Sequence, residues 1–146
     1  MIRPAEPGDL PAITACVEAA YEHYIPRIGM RPGPMDTDHA SRLDATWVLC
    51  DPGLAGLIVL LPDGDGALLI ENVAVDPSRQ GHGYGRRLMD FAEDVARERG
   101  APALTLYTHE KMTENQAIYT RLGYHETERR AEHGFARVFM RKPLNG

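Results

Sequence analysis

The sequence predicts an α/β (α+β) fold, a central mixed, mostly antiparallel twisted sheet of about six to seven strands flanked by about four helices. Three observations carry that prediction. The β-rich runs Trp47 to Cys50, Leu54 to Leu61 and Ala67 to Val75 are separated by the turn signals Asp51-Pro52-Gly53 and Asp63-Gly64-Asp65-Gly66, which reads as an antiparallel meander. Strand 67–75, helix 83–99 and strand 103–108 form a βαβ unit, so those two strands are parallel neighbours joined by a right-handed crossover. Two final runs, Tyr124 to Arg129 and Phe135 to Arg141, pair antiparallel about Glu132-His133-Gly134.

Taken in order, a short N-terminal strand gives way to Asp9. This residue caps a helix whose Leu10, Ile13, Val17, Ala20 and Tyr21 fall on one stripe, with Pro11 tolerated in its first turn. After the Pro/Gly-rich loop at 26–35, Asp36 or Thr37 caps a second, short helix through Leu43. From Gly83 the helical period returns: Tyr84, Leu88, Phe91, Ala92, Val95 and Ala96 share a face, with Arg87, Asp90, Asp94, Arg97 and Glu98 mainly opposite. Gly100 ends this helix and Pro102 prevents its continuation. Thr113-Glu114-Asn115-Gln116 has the form of a capping box and opens a short helix closed by Leu122-Gly123-Tyr124.

A chain of 146 residues with 43% hydrophobic content suits one domain, 1–146, with a sizeable core. Its net charge of −5 is unevenly spread: residues 1–76 hold 12 acids and 4 bases, residues 77–146 hold 9 acids and 12 bases. A mildly acidic chain binds nucleic acid poorly, because phosphate neutralisation needs clustered cations, yet a basic patch in the second half can hold a small polyanion. The longest apolar run, Leu54 to Leu61, is far short of the roughly 20 residues of a membrane span. Met1 to Pro7 lacks the apolar stretch of a secretion signal. A soluble, cytoplasmic protein with neither nucleic-acid nor membrane partners is expected. Cys16 and Cys50 read as reduced packing residues, and no His or Cys pair has metal-ligand spacing, so no metal is expected.

The chemistry concentrates in Val73-Ala74-Val75-Asp76-Pro77-Ser78-Arg79-Gln80-Gly81-His82-Gly83-Tyr84-Gly85-Arg86-Arg87. A strand ends, a glycine-rich loop follows and an amphipathic helix begins, which brings backbone N–H groups and the positive end of a helix dipole to one point. Glycines at 81, 83 and 85 let the backbone approach an anion, and Arg79, Arg86 and Arg87 add cations in a stretch without acids. A dinucleotide fingerprint would need glycine where Arg86 stands, and a Walker A loop would need a lysine that the loop lacks. The alternative, a tight turn with solvated arginines, does not account for three glycines at alternate positions. In strand 67–75, Glu71 and Asn72 interrupt Leu68-Leu69-Ile70 and Val73-Ala74-Val75. Two readings stand: a break in the ladder that splays this strand from its parallel partner, or a half-exposed strand with one polar face.

On these residues the chain resembles the GNAT superfamily of N-acetyltransferases, which transfer an acyl group from acetyl-CoA to an amine. Gln80-Gly81-His82-Gly83-Tyr84-Gly85 fits that family's Q/R-x-x-G-x-G/A pyrophosphate loop, and Val73-Ala74-Val75-Asp76-Pro77 and Tyr119-Thr120-Arg121-Leu122-Gly123-Tyr124 look like its flanking pieces. The resemblance covers nearly all of the chain and implies a GNAT-like fold in which the parallel pair, 67–75 and 103–108, is splayed. It implies that the Val73-Ala74-Val75 segment holds the pantetheine arm, backbone groups of Val73 and Val75 also polarising the thioester carbonyl. Backbone N–H groups of Gln80, Gly81, His82, Gly83, Tyr84 and Gly85, with Arg79 or Arg86 nearby, would hold the pyrophosphate. One departure stands out: the family often has Asn seven residues before the Tyr, but here Met112 is there and Asn115 lies four before Tyr119. Asn115 serves the CoA arm or acceptor in another geometry, or it stabilises the helix start.

Attack of an amine on a thioester needs a neutral nucleophile, an oxyanion stabiliser and a proton for the thiolate. Glu71 is the first candidate base, with a purely structural carboxylate as its alternative; His109 and a water chain are the other options. Tyr119 matches the family's acid. Tyr24, Arg27 and Met30, with Tyr21 and Met35, surround the first inter-helix loop, which in similar proteins walls the acceptor site, and His109 is a further candidate there. The partners implied are acetyl-CoA and an amine acceptor of a small molecule or peptide, and a homodimer is compatible with the reading. The alternative function is a non-catalytic acyl-CoA-binding or regulatory module, which would keep the glycine loop and lose the acid and base.

Overall fold

The computed structural model describes residues 1–144 of the chain. Among them, seven strands form one mixed sheet: β1 (Ile2–Pro4), β2 (Thr46–Cys50), β3 (Leu54–Pro62), β4 (Leu68–Val75), β5 (Ala103–His109), β6 (His125–Glu132) and β7 (Phe135–Pro143). The strand order is β1-β2-β3-β4-β5-β7-β6, and β4 and β5 run parallel. Four α-helices accompany the strands, α1 (Leu10–Tyr21), α2 (Ile25–Ile28), α3 (Tyr84–Glu98) and α4 (Thr113–Arg121). This is the mostly antiparallel sheet with one parallel pair that the sequence implies. No helix among the described residues is long and apolar enough to cross a membrane.

Packing divides the described residues into two compact units, Met1–Leu60 with Asn72–Ala92, and Leu61–Glu71 with residues 93–144. In the first, Ala55 to Leu60 of β3 are buried without interruption, as a central strand covered on both faces requires. Ile13, Cys16 and Val17 are the buried stripe of α1, and burial pushes the Cys16 thiol up to about 12, which leaves it an inert packing group. Trp47 and Phe91 meet with ring centroids 5.6 Å apart.

In the first unit three local expectations fail for physical reasons. Asp9 does not cap α1: a 3-10 turn over Pro7–Asp9 already gives it helical dihedrals, whereas a capping residue is extended. Its carboxylate turns back instead, binding the Arg3 guanidinium at 2.8 and 2.9 Å and accepting the Glu6 N–H at 2.8 Å. The stretch 26–35 is not all loop, because α2 starts with Pro26 in its first turn, where a missing N–H costs nothing, and ends at the left-handed Gly29. The second expected helix is a 3-10 turn, His39–Ala45, capped by Asp38, which accepts the Ala40 N–H at 3.1 Å. Asp36 is otherwise engaged, 2.9 Å from Arg31 Nε.

In the second unit β5 pairs with β7 along its whole length, Ala103↔Pro143 to His109↔Arg137. β6 and β7 are joined by His133-Gly134, at φ 52° and 82°, the left-handed pair that a two-residue hairpin turn demands. β6 therefore extends to Glu132, three residues beyond the Arg129 read from sequence, and its positions up to Ala131 are all exposed. Glu126, Arg129, Glu128 and Arg130 pair along it, giving this edge the charged character that opposes strand addition. The capping box at Thr113 does not form. Thr113 is already helical, and Gln116 Nε2 donates to the carbonyls of His109 (3.2 Å) and Glu110 (3.0 Å), tying α4 to the end of β5. At the end of α3, Gly100 takes φ 69° and the Ala101 N–H reaches the Ala96 carbonyl at 2.9 Å, the expected glycine stop.

Candidate active site

β4 leads into the glycine loop through Asp76, whose N–H donates to the Ala55 carbonyl at 2.8 Å. The Asp76 carboxylate accepts the N–H and the hydroxyl of Ser78, both at 2.9 Å, and these bonds hold it below the usual carboxylate range. Gly81 and Gly83 adopt φ 88° and 76°, and nothing lies within 4 Å of where a Cβ would stand on either. The loop is thus open on its outer side and opens directly into α3, whose first-turn N–H groups have no partner within the helix. Gly85 differs: it is helical, and a Cβ there would make only ordinary contact, 3.8 Å from Val75.

The three arginines are not equivalent. Arg79 donates from Nη1 to the Asp51 carbonyl (2.5 Å) and from Nη2 to the Pro52 carbonyl (2.6 Å), so its donors face the turn between β2 and β3. Arg86 pairs with Asp90 at 3.1 Å on the exposed side of α3, and the Arg87 guanidinium lies 5.9 Å from the centre of the Tyr84 ring. Tyr84 is buried and its hydroxyl donates to Asp51 at 2.7 Å. His82 stacks on the Tyr84 ring at 5.5 Å, with Nδ1 3.2 Å from the Gln80 carbonyl.

Burial alternates along β4: Leu68, Ile70, Asn72 and Ala74 are buried, while Leu69, Glu71, Val73 and Val75 are half-buried. The parallel register with β5 runs from Leu68↔Leu104 to Ile70↔Leu106, and both strands continue beyond it. The ladder therefore stops at the polar pair, as the splayed reading expects. Asn72, only 6% exposed, accepts the Tyr21 hydroxyl on Oδ1 at 2.9 Å, and the same hydroxyl lies 3.2 Å from the Val73 carbonyl.

In the second unit Tyr119 is half-buried on α4, its ring edge-on to Tyr124 with centroids 6.0 Å apart. Tyr124 is buried, which pushes its hydroxyl well above the ordinary phenol range, and its N–H donates to the Tyr119 carbonyl at 3.0 Å. Met112 is buried, and its sulfur receives the Thr108 hydroxyl at 3.5 Å and the Asn115 amide at 3.8 Å. Asn115 thus turns towards the residue that occupies the family's Asn position. His109 Nδ1 accepts the Lys111 N–H at 3.1 Å, which assigns the proton of the neutral ring to Nε2, and burial lowers its pKa.

Around the first inter-helix loop, Tyr24 is buried beside His23, with ring centroids 4.0 Å apart, and the Arg27 guanidinium sits 5.6 Å over its ring. Arg27 and Met30 are exposed, and Arg31 fastens the segment by pairing with Glu18 (2.7 Å) and Asp36. The first unit thus gathers the glycine loop, Val73 to Val75 and the inter-helix loop; Glu71, His109, Asn115 and Tyr119 belong to the second. Sequence reasoning missed Asp51 and the Tyr21–Asn72 bond, whose partners are 33 and 51 residues apart, beyond any local pattern.

The sequence model of the acetyltransferase (GNAT) family matches residues 13–124. A mycothiol acetyltransferase from Beutenbergia cavernae is 36% identical over 103 residues, covering 61% of this chain and 33% of that protein, so the chain spans about a third of that relative's length. Among solved structures, the ribosomal-protein-S18-alanine N-acetyltransferase from Escherichia coli aligns with a TM-score of 0.79 at 22% identity, over 100% of this chain and 96% of that one. The PaiA N-acetyltransferase from Thermoplasma acidophilum, solved in complex with coenzyme A, aligns with a TM-score of 0.80 at 14% identity, over 99% and 98% of the two chains. These two similarities are of fold.

Proposed function

The chain belongs to the acetyltransferase (GNAT) family, and from that premise we propose that it is an N-acetyltransferase that moves an acetyl group from acetyl-CoA to an amine of a small molecule or peptide. The observation that carries the proposal is the loop Gln80–Gly85, in which two left-handed glycines under open space lead into the first turn of α3. Backbone of that shape suits a diphosphate, because successive N–H groups and the helix dipole favour the same anion.

Acetyl-CoA supplies the acetyl thioester, and this chain's residues take the following roles. N–H groups from Gln80 to Gly85 bind the diphosphate, with Arg86, paired through Nε with Asp90, the nearby cation, and Arg79 contributing field rather than donors, since both its terminal nitrogens face carbonyls of the turn at 51–52. Val73, Ala74 and Val75 line the pantetheine arm. Glu71 takes the proton of the attacking amine, directly or through water. His109 is the weaker candidate, because its Nδ1 is already engaged. Tyr119 gives its proton to the sulfur as the C–N bond forms and the C–S bond breaks. Asn115 belongs to the helix start, where its bond to the Met112 sulfur supports that assignment. Exposed Arg27 and Met30 meet the acceptor, and buried Tyr24 packs their loop.

The proposal treats the chain as a single acyltransferase domain working in a reducing, cytoplasmic setting, for which the free thiols of Cys16 and Cys50 are suited. A thiol-release assay with acetyl-CoA and a panel of amines tests it. Amine-dependent release of CoA supports the enzyme. Tight acetyl-CoA binding without turnover on any amine would leave only the binding module.

A further inference from the structure

The turn between β2 and β3, Asp51-Pro52-Gly53, is closed by the Asp51 N–H donating to the Gly53 carbonyl at 2.9 Å, with Gly53 at φ 71°. This short turn holds both ends of the glycine loop. Before the loop, Arg79 donates to the carbonyls of Asp51 and Pro52 at 2.5 and 2.6 Å. Behind it, the buried Tyr84 donates its hydroxyl to the Asp51 carboxylate at 2.7 Å, and Arg79 also approaches that hydroxyl. Between the two fixed ends, Gln80 to Gly83 are exposed, with nothing packed over Gly81 or Gly83.

Arg79 is anchored through backbone carbonyls, which any residue at 51 would offer. The Tyr84 anchor alone depends on the side chain at position 51. A carboxylate beside an anion-binding loop is electrostatically unfavourable, so a purely solvating role would be better served by a neutral residue. Accepting the Tyr84 proton gives the charge a use, and Arg79 and Arg87 offset it. Fixing a loop in its bound conformation removes an ordering cost that binding would otherwise bear.

We propose that Asp51 is a positioning residue for acyl-CoA: acting through Tyr84, it fixes the first turn of α3 to the β2–β3 turn, so that the loop is arranged for the diphosphate before the ligand arrives. The inference rests on the acetyl-CoA reading above. It assigns Asp51 no contact with the ligand.

Calorimetric titration separates the possibilities, using acetyl-CoA and S-acetylpantetheine, which carries the same thioester without the diphosphate. The proteins are the wild-type chain, Asp51→Ala, Asp51→Asn, Tyr84→Phe and the Asp51→Ala/Tyr84→Phe double variant. Asp51→Ala and Tyr84→Phe should each bind acetyl-CoA about tenfold more weakly, the scale of one hydrogen bond to a charged group. S-acetylpantetheine should bind all five alike, which also marks the variants as folded. The double variant should be no weaker than either single one, and Asp51→Asn, which keeps an acceptor oxygen, should recover most of the affinity. Wild-type affinity in the single variants, equal losses on both ligands, or additive losses in the double variant would overturn the inference while leaving the acetyl-CoA reading intact. A wild-type chain that does not bind acetyl-CoA would overturn both.

Discussion

The hydroxyl of Tyr21, at the end of α1, lies 2.9 Å from Oδ1 of Asn72 and shares its single proton with the Val73 carbonyl at 3.2 Å. A helix thereby holds the middle of β4 at the buried member of the Glu71–Asn72 pair. Tyr21→Phe leaves Asn72 short of a donor in a site where it is 6% exposed, which should cost about 1–3 kcal/mol in a urea titration. A loss near zero would mean that the bond is incidental to β4.

Glycines in the first unit should respond differently to one added methyl. A Cβ on Gly56 would stand 2.8 Å from the Ala74 carbonyl oxygen and 3.1 Å from Leu88 Cδ1, so backbone must move, and Gly56→Ala should destabilise by about 1–3 kcal/mol. Gly83→Ala meets no atom but forces alanine to φ 76°, a strain of about 1–2 kcal/mol that the loop escapes by changing shape, with loss of acetyl-CoA affinity. Gly85→Ala should be tolerated on both counts, since the site is helical and uncrowded. Denaturation and calorimetry on the three variants give the ranking, and equal behaviour of Gly83→Ala and Gly85→Ala would contradict it.

Acid should weaken the fold through carboxylates that are bonded in the native state. The Arg3 guanidinium holds Asp9 below its ordinary range, the Ser78 N–H does so for Asp76, and the Lys142 ammonium, 2.8 Å away, for Glu93. Each lowered pKa means stability that is fully present above the unfolded-state value and lost as the pH falls through the folded-state one. The urea midpoint should therefore hold from neutral pH to about 5 and drop below about 4, less steeply in Asp9→Asn. A flat profile to pH 2 would contradict these assignments.

The elements that read correctly from sequence are those whose causes are local. β3 declares itself as an apolar run between two glycine turns, α3 as a helical stripe ending at Gly100, and the loop as Gly81 and Gly83 at positions that need positive φ. The misread ends depend on competition between side chains. Asp9 prefers Arg3 to the helix it precedes, Asp36 prefers Arg31, and Gln116 reaches back to β5 instead of closing a capping box at Thr113. Asp51 read as a turn residue and nothing more, because its bond to Tyr84 joins positions 33 residues apart.

The most direct measurement is the rate of acetyl transfer from acetyl-CoA to an amine panel by the wild-type chain and by Tyr119→Phe, with the acetyl-CoA Kd of each determined in parallel. Turnover by the wild type, with kcat lowered about 100-fold or more in Tyr119→Phe and Kd unchanged, is the predicted result. Equal kcat in the two proteins would remove Tyr119 as the proton donor, and a wild-type chain that binds acetyl-CoA yet acetylates no amine would contradict the enzyme itself.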